Sequence, residues 1–523
     1  MSAVDHFPFV PALRGKASLR DLLVFAFWAF LFALIYAQSP LYTSNQNQYF
    51  LHGLAQAGYG NLKEDWLAST ADPTPVFSLL VQLTYTVFRD GWPFYLYYAF
   101  LLGIYLYSLV GVVFEVNQQL SPTAKLLFVT SFLGIHSAAF RYLITLTAGP
   151  EWSFILEGGL ADQRVLGQVF QPSTFGVFLI LAISLFLKGK ISQAILVAAI
   201  AATFHPTYLL SNAFLFASFI LANYLGEKRL INTGRYGMFA LLCTAPILAY
   251  VLLNFQSDRA PEAVERSREL LVSYRLPHHA LVTEWFDLTS LFQLILIMIA
   301  VILFRRTKLA RLILFVLFPA MLLSIIQWMT GNATLALLFP WRISVILVPL
   351  SAAVISGRIL VRLDDTHQGW LESRPKEIAV LSVTAIVVLC ILGGVRFVLE
   401  LGQQPLPSER ALFDSISKSR QHSQVYLIPI KMQDFRLATG EPAYVDFKSI
   451  PYRSEDVLEW YRRIQVAEEF YRRGFRSCNS FEQLVSHEGI TGVILKQGVK
   501  PADCPGWKRI YEDEFYQVMV YED

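Results

Sequence analysis

The chain has 523 residues, of which 54% are hydrophobic and 16% are charged, whereas about 25% of a typical soluble domain is charged. The 43 basic and 40 acidic residues give a net charge of +3, which is too small to indicate binding to nucleic acid. These values exclude a single soluble domain and indicate a polytopic membrane protein.

Twelve apolar stretches are candidates for membrane-spanning helices, which require about 20 apolar residues each. They lie at 21–38, 74–88, 93–114, 124–140, 174–187, 191–208, 209–225, 236–255, 288–304, 309–329, 338–357 and 378–398. The first follows a basic segment, as a signal peptide does, but its apolar run is too long for a usual signal sequence and lacks a clear cleavage site. We therefore predict an uncleaved first helix.

Basic residues orient these helices, because Lys and Arg are enriched in cytoplasmic loops. Those that define the cytoplasmic side are Arg14, Lys16, Arg20, Lys188, Lys190, Lys228, Arg229, Arg235, Arg305, Arg306, Lys308 and Arg311. Loops 39–73 and 256–287 and the C-terminal region are then extracytoplasmic. The N-terminus is cytoplasmic.

An inside N-terminus and an outside C-terminus require an odd number of crossings. We therefore predict about thirteen transmembrane helices, the additional pass lying near 143–160, where Glu151 and Glu157 interrupt the apolar sequence. Carboxylates inside a span usually face a protein interior or a watery cavity. The alternative is an irregular outer loop over 146–173 combined with one re-entrant segment, such as 174–187.

Residues 399–523 contain no further membrane-length apolar run, and we predict a small soluble extracytoplasmic α/β domain that follows a transmembrane domain over 1–398. Strand patterns lie at 425–428, 444–447, 492–495 and 516–520, and helix patterns at 453–474 and 480–488. Cys478 and Cys504 both fall in this domain. An oxidising compartment would permit a disulfide between them, although two free thiols also fit the sequence.

The first outer loop is longer than a helix connection requires and contains three acids of interest, Glu64, Asp65 and Asp72. They could bind a divalent metal ion, act as a general base or orient a sugar hydroxyl. A solvated loop with helix-capping acids explains them equally well, and Asp72 also suits the turn before Pro75.

A second polar cluster, 161–173, contains Asp162, Arg164, Gln168 and Gln171. On a helix, Arg164, Gln168 and Gln171 would share one face, where they could bind substrate. Alternatively, Asp162 and Arg164 neutralise each other.

Two more clusters lie near predicted outer helix ends. His205 precedes Pro206, which bends or ends a helix, and its imidazole could bind phosphate or pack as a hydrogen-bonded core residue. Arg342 follows Trp341 at the start of a span. Its guanidinium suits a phosphate, but it could also extend to lipid headgroups.

The arrangement resembles the GT-C superfamily of polytopic glycosyltransferases, which take sugars from polyprenyl phosphate or pyrophosphate carriers on the outer membrane face. The resemblance rests on the long first outer loop, the Asp72-Pro73-Thr74-Pro75 segment, His205-Pro206, Arg342 and the C-terminal outer domain. The chain is also similar to bacterial multi-pass proteins, including cyanobacterial ones, in the runs over 162–173, 435–440 and 445–452. These resemblances imply a bacterial inner-membrane protein.

The chain departs from the GT-C pattern at 44–49, where Ser-Asn-Gln-Asn-Gln-Tyr replaces the acid usually found after the first helix. Amides cannot take a proton, so Glu64, Asp65 or another loop acid would have to act as the base. The leading hypothesis is a glycosyltransferase that uses a polyprenyl-phosphate-linked sugar. The alternatives are a lipid or glycan transporter and a non-catalytic assembly or scaffold subunit of a membrane complex.

Overall fold

The computed structural model describes residues 18–228, 230–257, 259–367, 369–419 and 424–522. Three basic residues used to predict orientation, Arg14, Lys16 and Arg229, lie outside these ranges. The chain divides into two compact units. Unit 1 comprises Met1–Gln38, Phe94–Tyr250 and Leu276–Val398, and unit 2 comprises Ser39–Pro93, Val251–Arg275 and Leu399–Asp523.

Most of the described chain is helical, and all twelve apolar candidates overlap helices. The helices of ten or more residues in this part of the chain are Leu19–Tyr36, Pro75–Phe88, Pro93–Val116, Pro122–Ile135, Ala138–Ala148, Val177–Leu187, Ile191–Phe204, Leu209–Glu227, Leu230–Asn254, Leu288–Leu303, Lys308–Thr330, Ser344–Thr366, Pro375–Leu401, Pro407–Lys418, Ser454–Arg472 and Cys478–Glu488. Several begin with proline, whose missing N–H is harmless in the first turn of a helix.

Seven helices among the described residues are long and apolar enough to cross a membrane, and a bent pair, Pro122–Ile135 with Ala138–Ala148, gives an eighth if it counts as one span. Four shorter apolar helices accompany them: Pro75–Phe88, Pro172–Leu187, Ile191–Phe204 and Leu288–Leu303. The chain is a predominantly helical integral membrane protein. The division into a membrane domain over 1–398 and a soluble domain over 399–523 stays a prediction.

The predicted helical pass over 143–160 is wrong. The helix Ala138–Ala148 ends at Gly149, whose φ is 108°, and Pro150 disfavours helical backbone at the residue before it. A single 3₁₀ turn, Pro150–Trp152, follows, and residues 153–171 are turns and irregular backbone. The described conformation is the irregular-loop alternative, and we call 149–171 the connecting loop.

Two long helices of unit 1 approach closely at Gly393. A Cβ atom there would lie 2.1 Å from the carbonyl oxygen of Leu34, so the helix Pro375–Leu401 meets Leu19–Tyr36 at a position where only glycine fits without a backbone shift.

Unit 2 contains a four-stranded sheet in the order β1-β2-β4-β3. The strands are β1 (Tyr426–Leu427), β2 (Gly492–Lys496), β3 (Trp507–Glu512) and β4 (Tyr516–Tyr521). β1 and β2 are parallel, whereas β4 is antiparallel to both β2 and β3. A buried apolar core that includes Phe413, Phe435, Ile494 and Val518 packs beside the sheet.

The predicted strand over 444–447 is wrong, and β3 was not predicted. Only an isolated bridge pairs Ala443 with Tyr426, because the carbonyl oxygen of Asp446 accepts a hydrogen bond from the Trp460 indole at 3.0 Å instead of joining a ladder. The sequence of β3 is rich in charged residues, which lowers its strand signal. Cys478 and Cys504 form a disulfide.

Candidate functional site

The connecting loop is fixed within unit 1 by its own glycines and by hydrogen bonds. The backbone N–H of Leu160 donates to Ser344 Oγ at 2.8 Å, and a Cβ atom at Gly159 would lie 2.5 Å from the Val345 nitrogen. The Tyr98 hydroxyl donates to the Gly167 carbonyl. These contacts give an irregular segment a defined course through the unit.

The prediction that Arg164, Gln168 and Gln171 share a helical face is wrong, because the connecting loop is not helical. Gln168 is exposed, whereas Gln171 is buried. Arg164 pairs with the exposed carboxylate of Asp162. Its guanidinium carbon also lies 3.5 Å from the centroid of the Phe154 ring, a distance typical of a cation–π contact.

Arg342 and His205, 137 residues apart in the chain, meet in unit 1. Arg342 Nη2 lies 3.0 Å from His205 Nε2, and because arginine only donates hydrogen bonds, Nε2 is the acceptor and His205 is neutral. His205 is extended backbone between the helix Ile191–Phe204 and the 3₁₀ turn Pro206–Tyr208. The Arg342 guanidinium also lies 5.2 Å from the Tyr208 ring centroid.

Both arginines retain unused donors. Within the described part of the chain, the buried Nε atoms of Arg342 and Arg164 have no hydrogen-bond partner. Nearby, His279 Nδ1 lies 2.6 Å from the carbonyl oxygen of Ala161, so it ties the connecting loop to the short helix Pro277–Ala280. Unused guanidinium donors in a partly buried setting suit an anion with several oxygens.

Trp341, the residue before Arg342, lines a small cavity that has room for about one water molecule. Its lining includes His279, Gln327, Phe339 and Trp341. The Trp285 and Trp341 rings are 5.1 Å apart, and neither indole N–H has a hydrogen-bond partner among the described residues. Apolar side chains and indole N–H groups therefore lie beside the segment that carries Arg342.

A third polar centre, which the sequence analysis did not include among the site residues, surrounds Glu157. Its side chain is buried, and Arg141 Nη1 lies 3.4 Å from Glu157 Oε1. The Arg141 guanidinium stacks 4.1 Å from the Tyr36 ring centroid. Burial raises the pKa of Glu157 to about 7 against the opposing effect of Arg141. The only sequence signal was an acid within apolar sequence.

The predicted loop acids lie in unit 2 and have different surroundings. Glu64 is exposed. Asp72 Oδ1 accepts a hydrogen bond from the Thr74 N–H at 2.8 Å, just before the helix that begins at Pro75, in agreement with the capping alternative. The prediction that Glu64 or Asp65 is a general base stays a prediction.

Asp65 is fully buried and hydrogen-bonded. Its Oδ2 accepts from Arg436 Nε at 2.6 Å and from the Ala443 N–H at 3.0 Å, while Oδ1 accepts from the Leu67 N–H at 2.8 Å. Arg436 also pairs with Asp446. These contacts favour a structural role for Asp65, because its lone pairs are already engaged.

The amides that replace the expected acid also take part in the packing of unit 2. Gln48 Nε2 donates to the Ile450 carbonyl at 3.0 Å, and Gln48 Oε1 accepts from the Ile450 N–H at 2.5 Å. Asn47 Nδ2 donates to Asp434 Oδ1. Across the described ranges, no group of three or more His, Cys, Asp or Glu side chains could hold a metal ion.

Comparison with known proteins gives three findings. Residues 407–467 match the family described as "Domain of unknown function (DUF6798)". No curated protein sequence matches the chain. Among solved structures, the chain is similar to ArnT from Cupriavidus metallidurans, crystallised with undecaprenyl phosphate, at 12% identity and a TM-score of 0.46, over 96% of this chain and 98% of that one.

Proposed function

We propose that the protein is a glycosyltransferase that takes a sugar from a polyprenyl-phosphate carrier at the outer face of the bacterial inner membrane. The observation that carries the proposal is that Arg342 and Arg164, both in unit 1, each keep a buried guanidinium nitrogen without a hydrogen-bond partner among the described residues. The planar guanidinium of arginine can donate two hydrogen bonds to one phosphate group at the same time.

The surroundings of Arg342 hold its guanidinium in place, and apolar side chains lie beside the segment that carries it. His205 and Tyr208 fix the guanidinium from one side, and the neighbouring cavity is lined by Phe339 and Trp341. The phosphate of the carrier would meet the arginine, while its polyprenyl chain would lie in the bilayer along the apolar helices. In the reaction, the phosphate gains negative charge as it leaves the sugar, and fixed guanidinium donors stabilise that charge.

A second candidate function is a non-catalytic assembly or scaffold subunit. One observation favours it: Asn47 and Gln48, which stand where the resemblance implies an acid, are used in buried hydrogen bonds of unit 2. A fold kept for binding alone would tolerate this replacement. Fold-level analogy does not decide between the two functions.

The test is binding of undecaprenyl phosphate to the purified protein in nanodiscs. Arg342→Ala removes a charged hydrogen-bond partner, worth about 1.5 to 3 kcal/mol, so Kd should rise about tenfold or more. Arg342→Lys should restore only part of the affinity, because an ammonium lacks the planar fork. Arg306→Ala, at an exposed loop position, is the matched control and should bind normally.

Two results would overturn the proposal. A wild-type protein that binds no undecaprenyl phosphate would favour the scaffold function. A normal Kd for Arg342→Ala would show that the phosphate, if bound, is held elsewhere.

A further inference from the structure

The carboxylate of Glu157 has one satisfied and one unsatisfied oxygen. Oε1 faces Arg141, but Oε2 has no hydrogen-bond partner in the described structure, although the side chain is only 3% exposed. Leaving a buried carboxylate oxygen without a donor is costly. A bound group that donates a hydrogen bond would remove this cost.

The neighbouring His136 does not supply that donor. His136 Nε2 lies 3.9 Å from Glu157 Oε2, which exceeds hydrogen-bond distance. His136 Nδ1 faces the Phe132 carbonyl at 2.9 Å and must carry the proton, so Nε2 accepts from the Tyr105 hydroxyl at 3.1 Å. His136 Nε2 is therefore an acceptor and donates no hydrogen bond to Glu157 Oε2.

The Glu157 centre is connected to Arg164 through one aromatic ring. The Phe154 ring lies 3.5 Å from the Arg164 guanidinium and 5.6 Å from that of Arg141. Arg141 in turn contacts Glu157. One aromatic side chain of the connecting loop therefore links the candidate phosphate-binding arginine to the unsatisfied carboxylate.

We propose that Glu157 is the general base of this site. Its Oε2 accepts a hydrogen bond from the hydroxyl group of the acceptor alcohol, and that hydroxyl attacks the sugar. This inference rests on the proposed glycosyltransferase function. The acceptor oxygen forms a bond to the anomeric carbon of the sugar, the bond from that carbon to the phosphate oxygen breaks, and the polyprenyl phosphate leaves with the bonding electron pair. The hydroxyl proton passes to Glu157 Oε2.

The variant that tests the role is Glu157→Gln, which keeps the shape of the side chain and removes its basicity. Glu151→Gln is the matched control, because Glu151 is exposed and lies in the same loop. Each protein is assayed for binding of undecaprenyl phosphate and for release of undecaprenyl phosphate from undecaprenyl-phosphate hexoses, in membranes of the source organism that supply the acceptor. Glucose, mannose and galactose serve as the hexoses.

We expect Glu157→Gln to bind undecaprenyl phosphate within about twofold of the wild type and to release it at least about 100-fold more slowly, the usual contribution of a general base. Glu151→Gln should match the wild type in both assays. Retained binding shows that the variant is folded.

A second measurement tests the position of the carboxylate without turnover. Dicyclohexylcarbodiimide modifies carboxyl groups in water-poor sites, and trypsin releases Glu157 on the peptide between Arg141 and Arg164. Modification should occur at Glu157, be absent in Glu157→Gln, and fall when undecaprenyl phosphate is bound.

The outcomes separate this inference from the proposed function. A Glu157→Gln variant that turns over at the wild-type rate, or carbodiimide labelling unaffected by bound undecaprenyl phosphate, overturns the role of Glu157 and leaves the glycosyltransferase proposal standing. A wild-type protein that binds the lipid phosphate but releases none from any of the three donors overturns both.

Discussion

Replacing Asp65 should destabilise unit 2 rather than act on chemistry alone. The Asp65 carboxylate meets Arg436 Nε at 2.6 Å and two backbone N–H groups at 2.8 and 3.0 Å, with both charged side chains almost fully buried. Removing one partner of a buried ion pair costs about 3 to 5 kcal/mol. Because asparagine keeps one accepting oxygen, we expect Asp65→Asn to lie near the lower value, about 3 kcal/mol.

A decrease of about 3 kcal/mol in the stability of unit 2 raises the population of its locally unfolded form more than about 100-fold. It should appear as faster tryptic cleavage within 399–523 in detergent, followed by mass spectrometry. Glu64→Gln, at the exposed neighbouring position, is the control and should be cleaved like the wild type. If Asp65→Asn kept wild-type resistance to trypsin and lost sugar transfer, the structural assignment would be refuted and the general-base prediction favoured.

Three further predictions follow from unit 2 and from the predicted orientation. Burial, with Asp434 nearby, raises the pKa of Glu409 from 4.5 to about 7. The folded state therefore holds more protons than the unfolded chain over this range, and the free energy of unfolding should fall as pH rises from about 4.5 to 7. Glu409→Gln should flatten that dependence in thermal unfolding at a series of pH values. Non-reducing mass spectrometry should find Cys478 and Cys504 joined, and reduction should lower stability by about 2 to 4 kcal/mol; recovery of both as alkylated thiols without reduction would contradict the bond. Periplasmic reporters fused after residue 60 and at residue 523 should both be exported, whereas a cytoplasmic signal from either would contradict the orientation.

The length of the apolar runs predicted the existence of the helices well. A long apolar run in a membrane forms a helix because its backbone N–H and C=O groups must be hydrogen-bonded within the segment. The boundaries were less accurate where local breaks intervene. The candidate 338–357 is observed as Ser344–Thr366, since Pro340–Ile343 forms a 3₁₀ turn first. Gly149-Pro150 already indicates a break in the sequence, whereas the need for an odd number of crossings favoured a helical pass over 143–160, and the backbone there follows the break.

The site residues were only partly predictable, because polar pairing between distant segments leaves no periodic signal. Asp65 and Arg436 are 371 positions apart, and His205 and Arg342 are 137 apart. Sequence patterns indicated the chemistry of each of these residues except Arg436, but not which residue would be its partner. Asp65 consequently looked like a free carboxylate, whereas its partner shows that its oxygens are occupied.

Because residues 45–48 are amides, a general base would have to be another acidic residue, and the surroundings of four acids can be compared. Glu64 is exposed and Asp65 is held by Arg436, while Asp162 is paired with Arg164. Of these four acids, only Glu157 is buried, contacts an arginine and has a carboxylate oxygen without a hydrogen-bond donor. A buried carboxylate whose burial raises its pKa holds a transferred proton more readily than an exposed one does. The loss of an acid after the first helix is therefore compatible with catalysis, provided that the connecting loop supplies the carboxylate.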